Sequence, residues 1–241
     1  MFGRLKIIIA LTCISLVLIS FKDPPRVLIM SKTAGFYHSS IPAGIAAIQK
    51  LGNENGFEVD TTTDPAVFTI KHLKKYAAVI FLNTTGTLFN EVQRTALQQY
   101  IRSGGGVTGV HAATDTEYEW PWYNKMIGAW FDNHPKQQAA KLIVKDKNHL
   151  ATKHLPDVWE RKDEWYNFKN INPGIKVLIT IDEKSYEGGK NGDFHPMAWY
   201  HNFEGGRVFY TGLGHTDESY AEPLFLQHLL GGIQYAMGSK K

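Results

Sequence analysis

Residues 104–111, Gly-Gly-Gly-Val-Thr-Gly-Val-His, set the tightest limit on how this chain of 241 residues folds. Residues 107–111 read as a short buried strand, and the small residues Ala112 and Ala113 behind His111 turn the chain sharply at its end. In open α/β sheets a side chain at such a turn stands above the carboxyl edge, where these folds bind ligands. Here that side chain is an imidazole, where many α/β enzymes carry a nucleophilic thiol or hydroxyl.

The flanking pattern supplies the rest of the sheet. Residues 26–30 form an apolar β run, followed by a polar loop over 31–40. Ile41, Ile45, Ile48 and Leu51 then recur at helical spacing until Gly52 and Gly56 end the helix. Residues 57–60 alternate as a strand, and the continuous apolar run 77–82 marks a strand covered on both faces. Asn90 and Gln93 cap a helix whose inner stripe is Val92, Ala96, Leu97, Tyr100 and Ile101. Strand and helix alternating in this order predict an α/β fold, a mostly parallel sheet with helices on both faces. Further on, 141–144 and 176–181 read as strands, 197–203 and 207–210 as a hairpin turning at Glu204-Gly205-Gly206, and 224–237 as a closing helix. No repeat or linker divides the chain, so residues 24–238 are expected to form one domain.

The first twenty residues stand apart. Arg4 and Lys6 precede fourteen uncharged residues, 7–20, and Lys22-Asp23-Pro24-Pro25 breaks the run. The stretch is shorter than the roughly 20 apolar residues of a spanning helix and has the layout of a secretory signal. Leu18 and Ser20 fit the small-x-small cleavage pattern only in part, which leaves an uncleaved anchor open. The expected location is the periplasm or the exterior of a bacterial-type cell, with membrane contact only through the leader. That leader holds two of the 26 basic residues, so 24 remain against 23 acidic ones, without a basic stripe interleaved with aromatics. Nucleic acid is therefore not an expected partner. The one cysteine, Cys13, also lies in the leader, so residues 21–241 hold no thiol for a nucleophile, a thiolate metal site or a redox pair.

The polar chemistry sits in loops. His38 occupies the loop after the first strand, at the carboxyl edge beside His111, and Ser39 or Ser40 is placed to cap the helix that follows. Asp115 lies four residues after His111, on the same face if a helix begins at the turn, where it could orient the ring as a general base. An N-cap aspartate beside a satisfied buried histidine is the structural alternative. Glu117, the run from Trp130 to His134, the pair Glu164 and Trp165, Trp199, and the turn Gly214-His215-Thr216-Asp217 add carboxylates and imidazoles next to flat aromatic faces. Together with Tyr37 they suit a sugar, which needs hydrogen bonds and stacking planes. His72, His149, His154 and His228 lie among Lys, Asn or Leu and read as surface or structural groups. His38, His111 and His215 could instead hold a divalent metal such as zinc, manganese or iron, although no tight ligand spacing is present.

In its motifs the chain resembles the ThuA-like, trehalose-utilisation, proteins of the class I glutamine-amidotransferase-like superfamily. The carriers are Thr33-Ala34-Gly35-Phe36-Tyr37-His38, residues 104–115, Asn133-His134-Pro135, Asp163-Glu164-Trp165-Tyr166, Pro196-Met197-Ala198-Trp199 and Gly212-Leu213-Gly214-His215. The resemblance implies a flavodoxin-like sheet and a role in sugar catabolism, notably through 3-keto-glycosides. It does not imply amidotransferase activity. The G-x-C-x-G elbow of that superfamily reads Gly109-Val110-His111-Ala112-Ala113 here, so no thioester can form. Three functions are left open: a lyase or hydrolase of glycosides or 3-keto-glycosides with a histidine base, a non-catalytic sugar-binding protein, and a metal-dependent hydrolase of another substrate. In the first, His111 and Asp115 are the expected catalytic pair; His38, Tyr37, Glu117, His134, Glu164, Trp165, Trp199, His215 and Asp217 contact the sugar.

Overall fold

The chain alternates strand and helix as far as residue 110, as the periodicity predicts, in a computed structural model that describes residues 23–239. The leader expected at residues 1–20 lies outside the described residues. In order come β1 (Arg26–Met30), α1 (Ile41–Asn55), β2 (Glu58–Thr62), α2 (Ile70–Leu73), β3 (Ala78–Leu82), α3 (Glu91–Arg102), β4 (Gly106–Val110) and α4 (Pro121–Ile127). Then follow β5 (Trp130–Asn133), β6 (Gln138–Val144), β7 (Val158–Asp163), β8 (Asn167–Lys169), β9 (Lys176–Ile181), β10 (Pro196–Phe203), β11 (Gly206–Thr211) and α5 (Pro223–Met237).

One sheet of nine strands runs in the order β2-β1-β3-β4-β11-β10-β9-β6-β7. Its first five strands pair parallel in the 2-1-3-4-5 arrangement of flavodoxin-like folds. The other four are antiparallel, because from β6 onward hairpins and short loops replace helical crossovers. β5 and β8 form a separate ribbon over the carboxyl edge.

Helices cover both faces. Side chains at odd and even positions of a strand point to opposite sides. A Cβ at Gly106 would meet the Ala236 carbonyl of α5, and one at Gly109 would meet Ile127 of α4. The two glycines therefore let helices on opposite faces approach the same strand. β3 and β4 are buried at every residue, the reason residues 77–82 read as an unbroken apolar run. The Asn90–Gln93 capping box forms as predicted, a device worth about 1 kcal/mol. Val92 does not join the inner stripe. It is 74% exposed, on the first turn of α3, where it borders an apolar groove with Phe68 and Ile70. Among the described residues no helix is long and apolar enough to cross a membrane.

Candidate functional site

Five chain segments deliver the site to one edge of the sheet. His38 comes from the β1–α1 loop, His111 from the end of β4, Glu164 from the residue after β7, His134 from the residue after β5, and His215 from the loop after β11. At the end of β4 the backbone of His111 takes φ +46, a left-handed conformation that a non-glycine residue holds only at a cost. The elbow expected from residues 104–115 is therefore real. Tyr210 fastens it from below, donating its hydroxyl hydrogen to the His111 carbonyl at 2.8 Å.

The turn does not open the α-helix that would set His111 and Asp115 on one face. It is a four-residue 3-10 turn, His111–Thr114, and α4 starts only at Pro121. Asp115 consequently does not orient His111. It accepts a hydrogen bond from the Tyr118 hydroxyl at 2.6 Å and faces the cavity as a separate carboxylate, its pKa raised by burial against that hydrogen bond.

His111 is oriented by other groups. Its Nδ1–H donates to the Gly212 carbonyl oxygen at 2.9 Å, which leaves the lone pair of the neutral ring on Nε2. That Nε2 lies 3.0 Å from Nδ1 of His215 and 3.4 Å from Oε2 of Glu164. The same Oε2 is 3.1 Å from Nδ1 of His215. The His38 ring stands edge-on to both other imidazoles, with centroids 5.0 and 5.1 Å away. Nitrogens of the three histidines and a carboxylate oxygen of Glu164 all lie within 4.8 Å of one another, close enough for one small cation to touch all four.

The electrostatics follow from burial. Desolvation, helped by His111 and His215, pushes the His38 pKa down to about 3, so this ring is neutral near pH 7. Burial alone would push Glu164 up, but the neighbouring His111 and His215 imidazoles outweigh it and hold the carboxyl below the usual carboxylate range. Asp163, fully buried beside it, ties the parts together: it accepts hydrogen bonds from the backbone N–H groups of Glu164, Gly214 and His215 and from Arg161 and Ser219. Asn83, at φ +50 beyond β3, reaches the Ser40 hydroxyl and the Gly214 carbonyl and joins the β1 and β11 loops. In the sequence Asp163 stands only as a motif residue without a site role of its own, and Asn83 as an ordinary polar residue beside a strand end.

His38, Glu164 and His215 form the floor of a cavity of about 380 Å³ walled by Phe36, Asp115, Phe131, His134, Gln137 and Tyr166, and His111 lies fully buried behind them. Tyr166 lies over His111 with ring centroids 4.1 Å apart. His134 Nδ1 lies 3.3 Å from the second oxygen of Glu164. Asp217 borders a smaller adjoining hollow of about 220 Å³ that shares His215 and Gln137.

Four expected sugar contacts are elsewhere. Glu117 is fully buried at φ +57, accepting from the Leu88 and Phe89 amides and pairing with Arg94, so its charge serves the β3–α3 loop. Trp165 turns away from Glu164 and donates to the Gln138 carbonyl. Trp199 is buried against Tyr210, donating to the Ile127 carbonyl. Tyr37 is 57% exposed and lines neither hollow. Among the remaining histidines, His149 and His228 are buried, the structural alternative of the sequence reading.

The ThuA family model, described as trehalose utilisation, matches residues 26–236. A solved ThuA-like protein from Bacteroides uniformis is 25% identical with a TM-score of 0.75, over 90% of this chain and 93% of that one. Another, from Parabacteroides merdae, is 22% identical with a TM-score of 0.75, over 91% of each chain. A beta-galactosidase from Bacillus circulans shares the fold at 11% identity and a TM-score of 0.60, with 90% of this chain covering 32% of that enzyme. No protein of curated function gives a significant match.

Proposed function

The chain belongs to the ThuA, trehalose utilisation, family, and from that premise we propose that it is an exported enzyme that breaks down glycosides oxidised at C3. The observation that supports this most is the convergence of His38, Glu164 and His215 on one floor, backed by the buried His111, under aromatic walls and beside the Asp115 carboxylate. A cavity of about 380 Å³ with a few convergent polar groups and several aromatic faces suits a sugar ring.

A ketone at C3 makes the C2 proton acidic. Asp115 takes that proton: it borders the cavity, and its raised pKa brings its basicity closer to neutral pH. As the C2–H bond breaks, the electron pair forms the C1–C2 double bond and the C1–O bond to the aglycone breaks. The departing oxygen collects a proton from His134, on the cavity rim. The imidazole and carboxylate floor, held rigid through Gly212 and Asp163, orients the sugar's oxygens. The leader at residues 1–20 supports export.

Product analysis by mass spectrometry on 3-keto-glycosides tests the reading. Turnover by the wild type, with a loss of at least about 100-fold in Asp115→Asn, is expected. Binding of the sugar without product over long incubation would instead make the protein a carbohydrate-binding accessory.

A further inference from the structure

We propose that His38, His111, Glu164 and His215 form a binding site for one divalent first-row transition ion, held by three imidazole nitrogens and one carboxylate oxygen. The proposal goes beyond the reaction above and does not depend on it, because such an ion would bind whatever the substrate.

Lone-pair counting carries the inference. The Gly212 carbonyl can only accept, so it fixes the His111 proton on Nδ1 and aims the Nε2 lone pair inward. That lone pair faces Glu164 Oε2 at 3.4 Å and His215 Nδ1 at 3.0 Å, while Oε2 itself faces His215 Nδ1 at 3.1 Å. With neutral rings, only His215 Nδ1 can place a proton among these three atoms, and two electron pairs still confront each other. An electron-pair acceptor at the centre removes the conflict.

The spacing agrees. Around an ion with nitrogen and oxygen ligands at about 2.1 Å, tetrahedral neighbours stand about 3.4 Å apart. His38 is a second, independent sign. The residue is 97% buried, its ring edge-on to the other two, and its Nδ1 has no hydrogen-bond partner, an expensive state for a buried polar group. The outer groups also match those of a metal centre, where a ligating imidazole gives its other N–H to a carbonyl. A donor set of nitrogen and oxygen without sulfur selects a borderline ion such as Zn²⁺, Mn²⁺, Fe²⁺ or Co²⁺ over a soft one.

The test uses the protein as purified and after dialysis against a chelator, titrated with Co²⁺, Zn²⁺ and Mn²⁺. One ion per chain by elemental analysis, visible cobalt bands from nitrogen coordination and a metal-dependent rise in Tm are expected. Glu164→Gln and His215→Asn should each weaken binding by more than about 100-fold, beyond the loss usual for an outer-shell partner. His72→Asn, far from the site, should bind as the wild type does. Circular dichroism confirms that each variant is folded. A folded wild type that takes up none of the three ions, or whose cobalt spectrum survives Glu164→Gln and His215→Asn, overturns the proposal; in the first case a shared proton holds the cluster together. Metal binding without turnover of a 3-keto-glycoside would sink the reaction and leave this site standing, and turnover by a protein that takes up none of the three ions would do the reverse.

Discussion

His111 Nε2 lies 3.0 Å from His215 Nδ1, although 104 positions separate the two residues in the chain. β4 and β11 are parallel neighbours, paired Val110 to Thr211, so the loops beyond them leave the sheet side by side. Each imidazole is then fixed by a different backbone device. His111 is held by its left-handed turn and the Gly212 carbonyl, and His215 by the Asp163 carboxylate on its amide.

Because the elbow stores strain at φ +46, His111 trades stability for position. Asparagine tolerates the left-handed region better than most residues. His111→Asn should lower turnover by at least about 100-fold, because His215 and Glu164 lose the ring that positions them, while changing folding free energy by no more than about 1 kcal/mol. Urea unfolding beside steady-state kinetics would show it, and a variant that loses both together would place the ring in the core instead.

Asp163 should behave in the opposite way. Removing its charge leaves the Arg161 guanidinium, 5% exposed at the side chain, with only the half-open Glu222 as its anionic partner and weakens the hold on the amides of Gly214 and His215. Breaking a buried pair costs about 3–5 kcal/mol. Asp163→Asn is expected to lose stability on that scale, and activity with it, measured as a fall in Tm and in turnover by the folded fraction.

Glu117 gives a sharper contrast with the sequence reading. Glu117→Ala should cost about 3 kcal/mol by stranding Arg94 and two amides. The KM for sugar should stay within about twofold, since the carboxylate faces the β3–α3 loop and not the cavity. A large rise in KM with unchanged stability would return it to the sugar site.

Acid should destabilise the fold through its buried histidines. His228 is fully buried, with Nδ1–H donating to the Ala151 carbonyl and Nε2 accepting from the Thr211 hydroxyl, and burial lowers its pKa from 6.5 to about 3. Above pH 6.5 both folded and unfolded rings are neutral and the contribution is complete. Below that, the unfolded chain takes up a proton that the folded chain refuses, and the contribution is lost progressively down to about pH 3. Between pH 7 and pH 5 the loss from one such ring is about 2 kcal/mol. Denaturant titrations at the two pH values should show His228→Gln removing about that much of the pH dependence; an unchanged slope would mean that the ring titrates normally.

Local chemistry was legible wherever one element carried its own signal. The buried strands show as apolar runs, α3 shows in its capping box, and the β10–β11 hairpin shows in Glu204-Gly205-Gly206. The elbow is legible too, since glycine and small residues around His111 leave a tight turn as the natural outcome. Aromatic residues beside carboxylates were less informative. Trp165 and Trp199 stand in the right motifs, yet in the link between β7 and β8 Trp165 turns away from the cavity to the Gln138 carbonyl, and Trp199 packs on Tyr210 beneath it.

The sequence by itself determined that the chain builds an α/β sheet, that an imidazole and not a thiol stands at the end of β4, and that cysteine chemistry is absent from residues 21–241. Periodicity and residue type suffice for these, because each is settled within about ten neighbouring positions. Only the tertiary structure decided that Glu164, not Asp115, is the carboxylate beside His111, and that Asp163 and Asn83 bind the loops together. Those pairings depend on strand order and on the antiparallel return of β6 and β7. Contacts spanning fifty to a hundred residues are set by how the sheet closes, and no local pattern encodes them.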